Sequence, residues 1–182
     1  MANSDRPNGF TPAGHKNGGT IRAAEFKIAY NYATAIYSGD AVILASGVVN
    51  VAADDSAAIL GVFAGCQYKD NTGAVQFSPY WPGVALSDTA ADISAFVYVD
   101  PGILFEVQTD TGTASTIANI GASYDIEKDH AGSAVTGRSG QELDLGDTGT
   151  GQFTIYGLVD RPNNDFGVNS KVLAFINVPV MG

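Results

Sequence analysis

The side chains able to do chemistry are few. Cys66 is the single cysteine, and His15 and His130 are the two histidines. No intramolecular disulfide can form, and a Cys/His zinc site is not expected. Cys66 follows the apolar run Gly61-Val62-Phe63-Ala64-Gly65, which predicts a buried, inert thiol. Asp125, Glu127 and Asp129 alternate, so on a strand they would share one face and offer hard oxygen ligands of the kind Ca²⁺ takes. Their segment lacks the ligand spacing and glycine of an EF-hand loop, and no metal is expected there. Ser139, in Gly137-Arg138-Ser139-Gly140, does not sit in a nucleophile elbow. His130, in Lys128-Asp129-His130-Ala131-Gly132, reads as a solvated loop residue. The run Gly146-Asp147-Thr148-Gly149-Thr150-Gly151 lacks the Lys-Ser/Thr ending of a phosphate-binding loop. No catalytic group and no cofactor is therefore expected, and the chain does not read as an enzyme.

Aromatic residues carry the other signal. Phe77, Tyr80 and Trp81 cluster around Pro79 and Pro82. Three uses are open to them: plugging one end of a β core, forming a protein interface, or stacking on a sugar.

The elements that would position these residues are short strands. Ala41-Val42-Ile43-Leu44 and Val48-Val49-Asn50-Val51 flank Ser46-Gly47, a hairpin pattern. Residues 59–68 form a longer strand whose two glycines predict a bend or a close backbone approach. The turn cluster Lys69-Asp70-Asn71-Thr72-Gly73 returns the chain to Val75-Gln76-Phe77 as a second hairpin. Asp100-Pro101-Gly102 is a turn before a half-buried strand over 103–109, with Ile103, Phe105 and Val107 on its apolar face. Residues 115–120 could make one or two helical turns. Tyr124-Asp125-Ile126-Glu127 reads as an edge or exposed strand, and 129–151 as a long surface excursion. Two strands close the chain, over 153–159 and 171–178. Eight to ten strands about ten residues apart, with no long helical pattern, predict an all-β fold: a compact barrel or sandwich.

Residues 1–24 differ from the 25–182 body. Pro7, Gly9, Pro12, Gly14, Gly18 and Gly19 punctuate them and predict an extended N-terminal arm, loose until it meets a partner. Residues 1–27 carry Arg6, Lys16, Arg22 and Lys27 against Asp5 and Glu25, whereas the whole chain of 182 residues carries −10. A mildly basic arm on an acidic body suits two different surfaces, and the acidic balance argues against nucleic acid or an anionic membrane. Hydrophobic residues make up 45 % and charged residues 15 %. That is far from disorder, and at this length a core can be buried without staples. No stretch approaches the 18 apolar residues of a membrane span. The polar start lacks a signal core, so folding in a cytoplasm is expected.

Several segments together resemble the head-decoration, or cement, proteins of tailed bacteriophages. They are the opening Met1-Ala2-Asn3-Ser4-Asp5-Arg6-Pro7-Asn8-Gly9-Phe10-Thr11-Pro12, then Ser38-Gly39-Asp40-Ala41-Val42 and the run 59–68. Phe77-Ser78-Pro79-Tyr80-Trp81-Pro82, Asp100-Pro101 before Phe105-Glu106-Val107-Gln108, and Gly157-Leu158-Val159-Asp160-Arg161-Pro162 extend the likeness. The resemblance implies a virion structural protein on the outer surface of the expanded capsid. It would be assembled in the host cytoplasm and bridge neighbouring HK97-like major capsid proteins. It also implies a homo-oligomer, with a trimer favoured and a dimer the other form open to it. On this expectation residues 1–24 lie along the shell, with Phe10 as apolar anchor and Arg6, Lys16 and Arg22 facing acidic groups. Phe77, Tyr80 and Trp81 are the interface aromatics. The alternative expectation is a tail- or fibre-associated module that binds carbohydrate or a receptor.

Overall fold

The computed structural model describes residues 3–54, 56, 58–86, 92–149 and 151–181. Met1 and Ala2 of the arm and Thr150 of the glycine-rich run lie outside them. The described chain is nearly all β, in three antiparallel sheets. In chain order the strands are β1 (Thr11–His15), β2 (Ala24–Lys27), β3 (Ile36–Tyr37), β4 (Ala41–Ala45), β5 (Val48–Val51), β6 (Gly61–Lys69) and β7 (Val75–Ser78). They continue with β8 (Tyr80–Trp81), β9 (Ser94–Tyr98), β10 (Ile103–Gln108), β11 (Ser123–Glu127), β12 (Glu142–Asp144), β13 (Phe153–Leu158) and β14 (Lys171–Ile176). One sheet runs β1-β10-β14-β13-β11-β12. A second runs β2-β9-β6-β4-β5, with β7 also paired to β6. β3 and β8 form a small third sheet.

The hairpins follow from their turns. Ser46 and Gly47 both take positive φ (51° and 84°), the backbone of a two-residue primed turn that matches strand twist. Asp70 organises the β6–β7 turn: its Oδ1 accepts from the Thr72 and Ala74 amides, and its Oδ2 accepts from Gln76 Nε2. A bulge between Phe63 and Gly65 shifts the register of β6 against β9. The extra residue reverses the side-chain parity, so Phe63 and Cys66, three apart, face the same core.

Two apolar cores result. The first gathers the inner face of the β10 sheet (Phe105, Val107, Phe153, Ile155, Val172) with Ala41 and Val62 from the second sheet and Ile59 just before β6. The second lies on the other side of that sheet, where Phe63, Val97, Leu60 and Val42 meet Ile36 and Trp81 of the small sheet. Over residues 61–66, β6 is thus covered on both faces, which is why that stretch reads as an apolar run.

Several expectations are corrected. The first residues are extended, but they are built into the body: β1 pairs antiparallel with β10, and Phe10 is 1 % exposed. Its ring stacks on Phe153 at 4.1 Å between centroids and meets Phe105 edge-on. Burying a phenyl ring in a packed core outweighs leaving a short strap free. β11 is an interior strand between β12 and β13, with Tyr124, Asp125 and Ile126 buried. The excursion 129–151 carries β12 and buries Ser139, Gln141, Glu142, Leu143 and Leu145. β10 is covered on its polar face too, since Gln108 is 1 % exposed beneath residues 5–6. The helical expectation over 115–120 reduces to one 3₁₀ turn, Ile117–Asn119.

Candidate functional site

Gly9 sets the path of the N-terminal segment. It takes φ +63°, and a Cβ there would fall against Ser139 Cβ and Gly39 O. This turn sends Phe10 into the core, where the Phe10 amide donates to Gly39 O at 2.9 Å. Residues 3–8 then cross the outer side of β10 and β14. Asn3 Nδ2 donates to Asp165 O and Val168 O (2.8 and 2.9 Å), and Lys171 Nζ donates to Arg6 O at 2.6 Å.

Gln108 is the hub beneath this strap. Its Oε1 accepts from the Arg6 amide (2.9 Å) and Lys171 Nζ (2.7 Å). Its Nε2 donates to Asp5 Oδ1 (2.9 Å) and Glu142 Oε1 (2.6 Å). Every hydrogen-bonding position of this amide is therefore used. Glu142 is buried, and desolvation raises its carboxyl above the ordinary range, against the Gln108 hydrogen bond and the His130 charge. Desolvation likewise lowers the Lys171 ammonium, with Glu106 and Glu142 opposing. His130 Nε2 lies 3.3 Å from Glu142 Oε2 and 3.8 Å from Asp5 Oδ1.

Beside the strap lie two adjoining grooves of about 430 and 410 Å³, which share Asn8, Glu106, Arg161 and Lys171. With Arg6 and Arg138 they collect four of the nine Lys and Arg side chains of an acidic protein. Arg161 forks onto Glu106, Nη1 to Oε1 at 2.8 Å and Nη2 to Oε2 at 2.6 Å.

The expected arm cations do not act as one set. Arg6 joins this groove. Lys16 instead stands over the Phe175 ring, 3.6 Å from its centroid. Arg22 is exposed ahead of β2. The expected aromatics also separate. Trp81 is core, its Nε1 donating to Tyr32 O at 2.9 Å and its ring edge-on to Tyr68. Tyr80 is half-buried and stacks on Tyr37 at 5.6 Å. Phe77 alone stands out, 75 % exposed, two residues from Val75 (49 %) on the same face of β7. β7 pairs with β6 and with no other strand among the described residues.

The carboxylates group differently from their sequence spacing. Asp125 is buried and accepts from the Gln152 amide at 3.0 Å. Glu127 comes instead within 4.8 Å of Asp110 and Asp144. Burial, then the Asp129 hydrogen bond and the surrounding negative charges, push the Glu127 carboxyl up to about 7. Asp110 is already engaged, by the Leu145 amide on Oδ1 and the Thr113 amide on Oδ2.

Gln108, Glu142, Asp5 and Lys171 were not singled out from the sequence. The one local signal was Gln108 on the polar side of an alternating strand. Compared with known proteins, the chain matches no family model, and no curated protein or solved structure matches it significantly.

Proposed function

We propose that the protein is a structural binding protein of a tailed-phage head, held on the outside of an expanded shell of HK97-like major capsid protein. The observation that carries the binding role is the exposed apolar face of β7. Val75 and Phe77 project together from a strand at a sheet edge, where an uncovered apolar surface marks a contact site. The particular partner rests on the sequence resemblance. With Phe10 in the core, the apolar anchor becomes Phe77 of the body, and Arg6 of the strap and Arg138 serve as exposed cations for acidic shell groups. Assembly as a homo-oligomer, a trimer or a dimer, would let one particle grip several capsid subunits. Such linkage raises apparent affinity by about 10²–10⁴.

The test is co-sedimentation of the full chain with bare expanded shells, beside the double variant Val75→Ser/Phe77→Ser. Saturable binding lost in the variant is the expected result. Equal binding by the variant would remove β7 from the contact. No binding by the parent chain would overturn the decoration role.

The receptor-binding alternative draws support from the groove walls. Asn3, Asn8, Asn163, Glu106 and Arg161 are hydrogen-bonding side chains of the type that hold hydroxyl-rich ligands. Glycan-array binding by the full chain, with no shell binding, would favour it.

A further inference from the structure

Asp5, His130 and Glu142 come from three distant parts of the chain: the N-terminal strap, a loop, and β12. One potential ligand atom of each lies within 4.8 Å of the other two. From these positions we propose that Asp5, His130 and Glu142 form a binding site for a divalent transition-metal ion of the Zn²⁺ class, which fastens the N-terminal strap to the body.

The donor distances suit such an ion. Ligands about 2.1 Å from a tetrahedral or octahedral centre stand roughly 3.0–3.4 Å from one another. His130 Nε2 and Glu142 Oε2 are 3.3 Å apart. Asp5 Oδ1, at 3.8 Å from His130 Nε2, belongs to an exposed side chain and needs a movement of a few tenths of an ångström.

The supporting shell is already in place. The two N–H groups of Gln108 Nε2 point to Asp5 Oδ1 and Glu142 Oε1, one to each carboxylate. This orients both acids and leaves Glu142 Oε2 facing His130, the arrangement by which outer-shell groups tune a metal centre. Glu142 is 2 % exposed, so a cation here neutralises a carboxylate that water cannot reach well. The loop bearing His130 is packed: a Cβ at Gly140 would strike the His130 carbonyl.

Two features separate this trio from Asp110, Glu127 and Asp144. It includes an imidazole nitrogen, which selects transition metals over Ca²⁺ or Mg²⁺. It also has an amide that serves both acids at once. Three protein ligands leave room for water to complete the shell. Metal binding at this trio does not depend on shell binding.

The experiment uses the untagged full-length chain, stripped with EDTA and titrated with ZnCl₂ and separately CaCl₂ by calorimetry. Co²⁺ absorption spectra report imidazole and carboxylate ligation. Saturable binding of one Zn²⁺ per chain, a rise in melting temperature with Zn²⁺, and weaker or absent Ca²⁺ binding are expected. His130→Ala and Asp5→Asn, both at partly exposed positions, should each weaken Zn²⁺ binding roughly tenfold or more. Their metal-free melting temperatures show whether each variant is folded. No saturable Zn²⁺ binding by the parent chain would overturn the proposal. So would undiminished binding in both variants, which would place the ion elsewhere.

Discussion

Gln108 Nε2 donates to Glu142 Oε1 at 2.6 Å, a contact between side chains that are both almost fully buried. It joins β10 to β12, strands that share a sheet without being neighbours in it. The same amide holds Asp5 and the Arg6 amide, so one side chain ties the N-terminal strap, β10 and β12 together. Replacing Gln108 with Leu should leave Glu142 Oε1 without this buried donor and Lys171 Nζ with Arg6 O as its remaining acceptor. Leaving a buried polar group without its hydrogen-bond partner costs about 1–3 kcal/mol, toward the upper end where the group is charged. Urea unfolding should show a loss in that range. A change under about 0.5 kcal/mol, the usual effect of a surface substitution, would show that the hub is not structural.

Phe10→Ala removes a ring packed between Phe105 and Phe153. The expected cost is about 3–5 kcal/mol, with faster proteolysis of the first residues. A free arm would tolerate the change without loss. For the same reason deletion of residues 1–24 removes β1 and a core side chain. Such a truncation reports on folding as much as on binding.

Phe77→Ser should leave stability within about 0.5 kcal/mol of the parent, because the ring is exposed. Solubility should rise. Thermal melts of parent and variant compare them directly. A large drop in melting temperature would mean that the ring supports the fold.

Cys66 is 2 % exposed, and burial pushes its thiol up to about 12. The thiolate is the reactive form. The native chain at pH 8 should therefore resist Ellman's reagent, and the unfolded chain should react fully. Rapid labelling of the native chain would contradict the buried placement.

Asp70 is held down to about 2, chiefly by hydrogen bonds from the Thr72 and Gln76 side chains. A carboxyl whose folded value lies below its unfolded value of 3.8 stabilises the fold above that value. The contribution is lost as pH falls from 3.8 toward 2. Carboxyl chemical shifts should place the Asp70 midpoint near 2. Asp70→Asn should flatten the acid response of the β6–β7 hairpin. An ordinary midpoint for Asp70 would remove the turn network.

The β class and its local punctuation are legible in neighbouring residues alone. Ser46-Gly47, Lys69–Gly73 and Asp100-Pro101-Gly102 mark turns through their own backbone preferences. Ile103, Phe105 and Val107 declare a core face through alternation. These signals need only neighbouring residues. Only long-range packing puts Phe10 in the core, separates Trp81 from Phe77, and builds the buried strand β12 into residues 129–151. The same packing makes the polar hub, where Gln108 meets Glu142 34 positions away and Asp5 103 positions away. A strap rich in proline and glycine looks loose because its own residues cannot bury enough surface to offset ordering. Docked across β10 and β14, it borrows apolar partners and hydrogen bonds from strands that lie far along the chain. No spacing within the strap records those partners.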